Sequence, residues 1–419
     1  MTTHEQPAAS PSSPSSGTAP TRRPERLRRT RTVAAVVAAI IGGVITYLAL
    51  GNVIPGGGSL LTLAPAHVWA HYGPQIVLAS VAAVLLCIPL WRAGRRRVLR
   101  SVAVGLAAVA LIASTTITGM IVQSAYAAGG SIDLVRAVTM STSTEGPDDV
   151  TSYVTVDGEA QQARIYEPDG GAEGAPVMMF IHGGGWYMGA AADVDSIVRS
   201  YATQGFYVIS VDYRLADADT ATWDTAPADV ACALSWTVQR AAAAGADTER
   251  LTVLGDSAGG HLSLLLGWSA AEGAAASSCG AQAEVPVPDA VIASYPVGDL
   301  TYTYENGAAP LGVDPREFTR FFLGGEPTAF PERLRAVSPA TYLSADVPPT
   351  LVLQPERDDF IPAEGNYRLV EQAQQAGADV TIARVPFAWH GFDGDPGSIG
   401  GQLKTTVVVN WLDGYGLAP

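Results

Sequence analysis

From Thr32 to Trp91 the chain contains no Asp, Glu, Lys or Arg, and a second uncharged run extends from Ser101 to Ile132. Soluble helices keep charged groups on their wet face, so charge-free runs of this length exclude a wholly water-soluble body. A helix needs about 20 apolar residues to cross the ~30 Å hydrocarbon layer. Three segments reach that length: Val33–Ile54, Tyr72–Trp91 and Val102–Val122. The PGGGS stretch at Pro55–Ser59 and the Ala64-Pro65 pair divide the first uncharged run into two spans. Cysteine is scarce too, with three in the whole chain, which excludes a scaffold built on disulfides. No Cys/His cluster has metal-ligand spacing, and no phosphate loop or dinucleotide fingerprint appears. Neither a metal nor a cofactor is expected.

Charge orients the spans. Six arginines lie in Thr21–Arg31 and five in Arg92–Arg100, whereas the loop between the first two spans has none. The positive-inside rule then places the N-terminus and the second loop in the cytoplasm. Three crossings leave everything after residue 123 outside. Ala125-Tyr126-Ala127 has the small-x-small form of a signal-peptidase site. The apolar run before it is about 20 residues, longer than the 7–15 of a cleaved signal, so a retained anchor is expected. The first 122 residues hold 11 of the 25 basic groups and only Glu5 and Glu25 as acids. The remainder therefore carries 14 basic and 38 acidic groups, a net of −24. Such a body repels nucleic acid and anionic head groups. The expected organisation is a disordered cytoplasmic tail over 1–31, a membrane region over 32–123, a linker over 124–149 and a soluble domain over 150–419.

Within that domain the most telling residues are GDSAGG at Gly255–Gly260, with HGGGWYMG at His182–Gly189 upstream. A serine with glycine two before and two after suits a sharp strand-to-helix turn that lifts its hydroxyl clear of a sheet. The run Leu251–Gly255 reads as a short buried strand, and AGGHLSLLLGWSAA after Ser257 has helical spacing. Only three histidines follow residue 100. His182 opens the glycine run and holds that loop; His261 sits one helical turn beyond Ser257 and reads as a packing residue. His390, in WHGF, remains as the base that takes the Ser257 proton and returns it to a leaving group. An orienting acid is sought between them. The strand Thr350–Gln354 ends in a loop carrying Asp358 and Asp359, where open α/β sheets place functional side chains. Spacing alone does not separate the two.

HGGGWYMG, DYRLA (Asp212–Ala216), GDSAGGHLS, SPATYL (Ser338–Leu343), the PERDDFIP loop and WHGF together resemble the α/β-hydrolase esterases. The nearest groups are the hormone-sensitive-lipase-like carboxylesterases and the acetyl-esterase and feruloyl-esterase-like branch. The resemblance spans about residues 150 to 415. The family's acid loop reads G-x-x-D, three residues, then proline, and Pro355, Asp358 and Pro362 fall on those places, which implies Asp358 as the acid. Its HGGG loop donates backbone N–H groups to an oxyanion, which implies Gly183, Gly184 and Gly185, joined by Ala258 after the serine. Pro355 stands where the family has glycine, DYRLA lacks the Pro-Glu that follows it in many relatives, and the N-terminal cap helices have no counterpart.

Strand candidates (Val150–Val156, Ala163–Glu167, Val177–His182, Tyr207–Asp212, Leu251–Gly255, Ala290–Ser294, Thr350–Gln354, Val380–Val385) alternate with helix candidates (Ala192–Gln204, Ala226–Ala243, Ala258–Ala271, Ala363–Ala376, Gly397–Trp411). That pattern implies an α/β fold, a mostly parallel sheet with helices on both faces, here preceded by three transmembrane helices. The irregular stretch Pro296–Leu343 would lie over the site as a small lid or acyl wall. Trp186, Tyr187, Phe321, Phe322 and Trp389 are candidates to line the pocket. Cys232, early in the helix before the serine strand, and Cys279, beyond the helix after it, would sit near opposite edges, which disfavours a disulfide between them. The reading is a membrane-anchored, extracytoplasmic serine esterase with the triad Ser257, His390 and Asp358, acting on a small-molecule ester. An amidase, formamidase or acyltransferase would use the same fold. A non-catalytic, hydrolase-like surface protein would have no use for triad and oxyanion donors.

Overall fold

Strands buried on both faces read as continuous apolar runs, and PVMMFI, YVISV and AVIAS have that form. The structure, a computed structural model, describes residues 1–3, 23–53, 60–92, 97–156, 158–280, 283–309 and 312–419. Helices α1 (Arg23–Val53), α2 (Leu60–Cys87), α3 (Arg97–Ala127) and α4 (Leu134–Thr139) come first. Then follow β1 (Asp149–Val156), β2 (Glu159–Tyr166), β3 (Pro176–Ile181), α5 (Asp195–Ala202), β4 (Tyr207–Val211), α6 (Thr225–Ala243), β5 (Asp247–Asp256), α7 (Ala258–Ala271) and β6 (Ala290–Ser294). The chain ends through α8 (Leu300–Asn306), α9 (Pro315–Leu323), α10 (Pro331–Val337), β7 (Thr350–Pro355), α11 (Ala363–Gln375), β8 (Val380–Val385) and α12 (Ile399–Asp413).

The eight strands form one sheet in the order β1-β2-β4-β3-β5-β6-β7-β8. β1, β2 and β4 pair antiparallel, and all pairings from β4 through β3 to β8 are parallel. The chain passes from β3 to β4 on one side and then to β5 on the other. Such a reversal opens a crevice at the carboxyl ends of β3 and β5, where open sheets bind ligands. Side chains of β3 alternate between the two cores. Val177, Met179 and Ile181 join the cluster under α6 and α7, while Met178 and Phe180 face α5 and α12. The second cluster continues into the three N-terminal helices, because Ile45, Ala49, Trp69, Ile117, Ile121 and Ala125 belong to it together with Phe392, Ile399 and Leu403.

Three described helical stretches, Arg29–Val53, Ala64–Leu90 and Arg97–Ala127, are long and apolar enough to cross a membrane. The second begins earlier than the expected Tyr72 and runs through both Pro65 and Pro74. Proline lacks the N–H that closes the preceding turn, so the helix kinks, with non-helical backbone at Tyr72, instead of ending. Helix α1 starts at Arg23, so residues 23–31 are helical where a disordered tail is expected; residues 4–22 of that tail and the PGGGS stretch lie outside the described residues. Residues 124–149, expected as a linker, are pinned down. Asp133 N–H donates to Gln402 Oε1 (2.7 Å), and Gln75 Nε2 donates to Ala137 O and Val138 O. The helix expected over Ala192–Gln204 divides into a short 3-10 turn, Ala191–Val194, and α5.

One expectation is overturned. Cys232 and Cys279 form a disulfide with Cα atoms 5.2 Å apart. The segment after α7 returns along α6: Ser278 N–H donates to Ala228 O (3.0 Å), and Ser235 Oγ donates to Glu284 O (2.8 Å). Helix direction alone placed the cysteines at opposite edges; the returning segment brings them together. Pro296–Leu343 also proves less irregular than expected, since α8, α9 and α10 fall within it.

Candidate active site

β5 and α7 meet at Ser257, whose backbone adopts φ 55°, ψ −116°. A non-glycine residue in that region is strained by about 1–3 kcal/mol and persists only where its surroundings impose it. They do so here through the two flanking glycines. A Cβ at Gly255 would lie 2.3 Å from Gly259 O, and one at Gly259 would lie 2.1 Å from Ile181 O. Only hydrogen at both places lets β5 turn so sharply into α7 and lets α7 start against β3. The Ser257 N–H donates to Ser294 O on β6 (2.9 Å), which fixes the turn from the other side.

Over this hydroxyl stands His390, with Nε2 2.9 Å from Ser257 Oγ. Its Nδ1 lies 2.7 Å from Asp358 Oδ2. A carboxylate only accepts, so Nδ1 carries the proton and Nε2 is left free to take one from the serine. The second oxygen, Asp358 Oδ1, accepts from Ile361 N–H (2.9 Å). Burial pushes the Asp358 carboxyl above its ordinary value, against the pull of His390. The neighbouring Asp359 has another partner. Its Oδ1 accepts from the Trp389 indole N–H (2.7 Å), which settles the orientation of the residue beside His390. Of the two adjacent aspartates, Asp358 is thus the one hydrogen-bonded to His390.

The glycine run closes the site from β3. Gly184 and Gly185 take φ values of +114° and +59°, and a Cβ on Gly184 would lie 2.0 Å from Met188 O. Gly183 packs against Asp256 and Ser257. Among the described residues, the N–H groups of Gly184, Gly185 and Ala258 donate to no protein acceptor. His182 holds the loop instead of reacting: its Nδ1–H donates to Gly183 O (2.6 Å), and its ring stacks on Tyr213 at 4.4 Å. DYRLA is the cradle. Tyr213 Oη donates to His182 O, Asp212 Oδ1 accepts from Ala191 N–H, and Ala216 N–H donates to Trp186 O. His261 is fully buried, bonded through Nε2 to Val337 O (2.7 Å), and burial brings it down to about 4.

The aromatic candidates divide. Trp186 and Phe322 are fully buried and stacked on each other at 4.4 Å, so they are packing. Tyr187, Phe321 and Trp389 are half-buried, and Phe360 joins them, 5.0 Å from the His390 ring. A separate cavity of about 660 Å³ lies behind the glycine loop, lined by Gly189, Asp212, Tyr213 and Thr222 among others, and it does not reach Ser257.

A family model described as BD-FAE matches residues 164–372, which contain the glycine loop, Ser257 and Asp358. The fold is that of the α/β-hydrolase esterases. Among solved structures of this fold, esterase 2 of Thermogutta terrifontis phosphonylated by sarin superposes with a TM-score of 0.55 at 25% identity, covering 65% of this chain and 97% of that one. The propionate-bound form of the same organism's thermophilic esterase gives 0.54 at 26%, covering 64% and 95%. Esterase LipC of Mycobacterium tuberculosis is 33% identical over 227 residues, 52% of this chain and 53% of that protein. Ethyl acetate hydrolase of Pseudomonas putida is 35% identical over 155 residues, 36% and 45% of the two chains. The chain spans about half the length of these curated relatives.

Sequence reasoning missed the residues behind this esterase-family site. Lys404, on α12, is fully buried with Nζ 2.5 Å from Asp256 Oδ1, and it also bonds Asp393 Oδ2. Tyr295 Oη donates to Asp393 Oδ1 (2.6 Å), and its ring stands edge-on to His390 at 4.6 Å. A signal existed: Lys404 is the only lysine in the sequence.

Proposed function

We propose that this protein is a membrane-anchored serine esterase whose hydrolase domain, residues 150–419, works outside the cytoplasmic membrane on small-molecule carboxylic esters. One observation carries the chemistry: Ser257, His390 and Asp358 are joined in a single hydrogen-bonded row, beside N–H groups of Gly184, Gly185 and Ala258 that no acceptor among the described residues uses. Ser257 Oγ attacks the ester carbonyl while His390 Nε2 takes its proton. Asp358 holds the ring and offsets the imidazolium charge. The carbonyl oxygen becomes an oxyanion that the backbone N–H groups, with Gly183 at the edge of the loop, stabilise. His390 then returns the proton to the leaving alcohol, and water repeats the sequence on the acyl-enzyme. That relatives include an esterase, LipC, and an ethyl acetate hydrolase supports a carboxylic ester as substrate. The Cys232–Cys279 disulfide supports an oxidising compartment for the domain.

The full-length protein in detergent or nanodiscs, offered a panel of p-nitrophenyl esters and acylated sugars, tests the reading. A fluorophosphonate probe is expected to label Ser257, as sarin phosphonylates the Thermogutta esterase. Ser257→Ala is expected to lower kcat by about 10⁴ to 10⁶ without unfolding the protein. Labelling that survives this substitution overturns the nucleophile; a folded wild type that neither labels nor hydrolyses any ester points to the non-catalytic reading.

A further inference from the structure

The loop carrying His390 does not rest on the hydrolase domain alone. We propose that Asn52, near the C-terminal end of the first membrane helix, is a positioning residue that holds this loop, so that the membrane helices complete the catalytic geometry. The inference rests on the esterase reading.

Asn52 is only 1% exposed and spends both amide hydrogens on carbonyls from two different parts of the chain. Its Nδ2 donates to Pro65 O (3.0 Å) in α2 and to Phe387 O (3.1 Å), three residues before His390. Its own Oδ1 is buried without a partner among the described residues, so the donors alone fix the amide. A polar side chain at this place in a membrane helix is costly and persists where it has a function.

What it grips is a strained point. Phe387 has φ +57°, a left-handed conformation that a bulky residue keeps only under restraint from its neighbours. The next carbonyl, Ala388 O, accepts from Arg357 N–H (2.9 Å) in the acid loop. Two successive carbonyls are thus held from two sides, one by the loop of Asp358 and the other by the membrane bundle. Around them the head of α2 forms a wall: His67 meets the Trp389 ring edge-on at 5.8 Å, and Ala70 lies against Gly400. His390 must stay within hydrogen-bond reach of both Ser257 and Asp358, and a displacement of about 1 Å costs on the order of 100-fold in rate. Freed from Asn52, Phe387 relaxes out of the left-handed region and carries His390 with it. Asn52 touches neither Ser257 nor substrate; its effect passes through the loop.

The test uses the full-length protein, with active sites titrated by the fluorophosphonate probe so that kcat is counted per competent Ser257. Asn52→Leu, close in size and suited to a membrane helix, is expected to lower kcat about 10- to 100-fold, with KM moving less than about twofold. The rate of probe labelling should fall in parallel while the number of titrated sites stays constant. Asn52→Gln, which keeps both donors, should restore most of the loss. If Asn52→Leu does not accumulate, Asn52→Ser carries the same expectation. A kcat per titrated site within twofold of wild type overturns the inference, as does a loss of titrated sites that accounts for all the lost activity. Asn52→Gln behaving no better than Asn52→Leu also overturns it. A labelled, active wild type with an unaffected Asn52→Leu sinks this inference alone; an unlabelled, inactive wild type sinks the esterase reading and this inference with it.

Discussion

Lys404 and Asp256 form a buried ion pair directly beneath the candidate nucleophile, with Nζ 2.5 Å from Oδ1. Asp256 precedes Ser257, and the second partner of the lysine, Asp393, follows His390 by three residues. One cation therefore ties the serine turn to the histidine loop from below. Burial pushes Asp256 up to about 6, while the neighbouring lysine and the Tyr295 hydroxyl hold Asp393 below its ordinary value despite its burial. An ammonium is compact enough to sit between two carboxylates; a planar guanidinium needs a wider slot. A chain that otherwise uses arginine for every basic side chain keeps its one lysine here.

Removing that cation leaves two buried carboxylates facing each other. Lys404→Met is expected to destabilise the fold by about 3–5 kcal/mol, the usual result of breaking a buried pair from one side. The triple variant with Asp256→Asn and Asp393→Asn should recover most of that loss, because no charge then remains unpaired. Denaturant unfolding followed by tryptophan fluorescence measures both. A Lys404→Met protein as stable as wild type would show that the pair contributes nothing.

The adjacent aspartates should separate cleanly. Asp358→Asn presents an amide to His390 Nδ1, favours the wrong tautomer, and is expected to cost about 10⁴ in kcat. Asp359→Asn retains an oxygen that accepts from the Trp389 indole and should cost less than about tenfold. Steady-state kinetics on any hydrolysed p-nitrophenyl ester decides, and the reverse order of damage would mean that Asp359 is the acid.

Gly184→Ala adds a methyl where Met188 O stands 2.0 Å away, so the loop must move and its N–H groups with it. Loss of one oxyanion donor raises the barrier by about 3 kcal/mol, and the loss should appear in kcat more than in KM. If only KM changes, the glycine run is a binding wall and the oxyanion donors lie elsewhere.

The inner strands β3 to β7 are legible in the sequence because a sheet covered on both faces needs apolar runs, whereas the outer β1, β2 and β8 carry polar and half-exposed positions and are read from alternation and turns. Ala290–Ser294 and Val380–Val385 match to the residue. β5 instead extends back to Asp247, since its charged start, DTER, pairs at the edge without an apolar pattern. The approach of Ser257 and His390 is readable from motif order, and that of Asp358 from the acid-loop pattern of the resembling family. Asn52, Lys404 and the Cys232–Cys279 bond were not, because each depends on contacts between distant segments that local periodicity does not encode. The second apolar helix starts earlier than its prolines suggest, because the packed helix continues through Pro65 and Pro74 with a kink at Tyr72.

His261 provides a pH signature in stability. Burial lowers it from the ordinary 6.5 to about 4, so between those values the unfolded chain takes up a proton that the folded one refuses. Stability attributable to this residue is therefore present above pH 6.5 and is lost as pH falls toward 4, by at most about 1.4 kcal/mol per pH unit. His261→Gln does not titrate and should remove that component. Asp256 and Asp358, both raised by burial, act in the opposite sense, so the comparison between wild type and variant at pH 7 and pH 4.5 isolates the histidine. Equal acid sensitivity in the two proteins would contradict a buried neutral His261.

The proposed orientation across the membrane is supported by which end of the three helices meets the hydrolase domain. Contacts with that domain come from Asn52 in α1, from Ala70 and Gly73 in α2, and from Ile121 and Ala125 in α3. Arg26, Arg29 and Arg31, like Arg97 and Arg100, lie toward the opposite ends of α1 and α3. If the arginines lie in the cytoplasm, as proposed, the domain stands outside. Cleavage after Ala127 would strip away a bundle that shares its buried apolar surface with Phe392, Ile399 and Leu403, and would remove Asn52 from the histidine loop. A C-terminally tagged protein is therefore expected in the membrane pellet at full mass, digested by protease added to intact spheroplasts. Cys232 and Cys279 should react with a thiol reagent only after reduction. A soluble fragment beginning at Ala128 would mean that the anchor is removed, and a tag shielded inside sealed cells would mean an even number of crossings and a cytoplasmic enzyme.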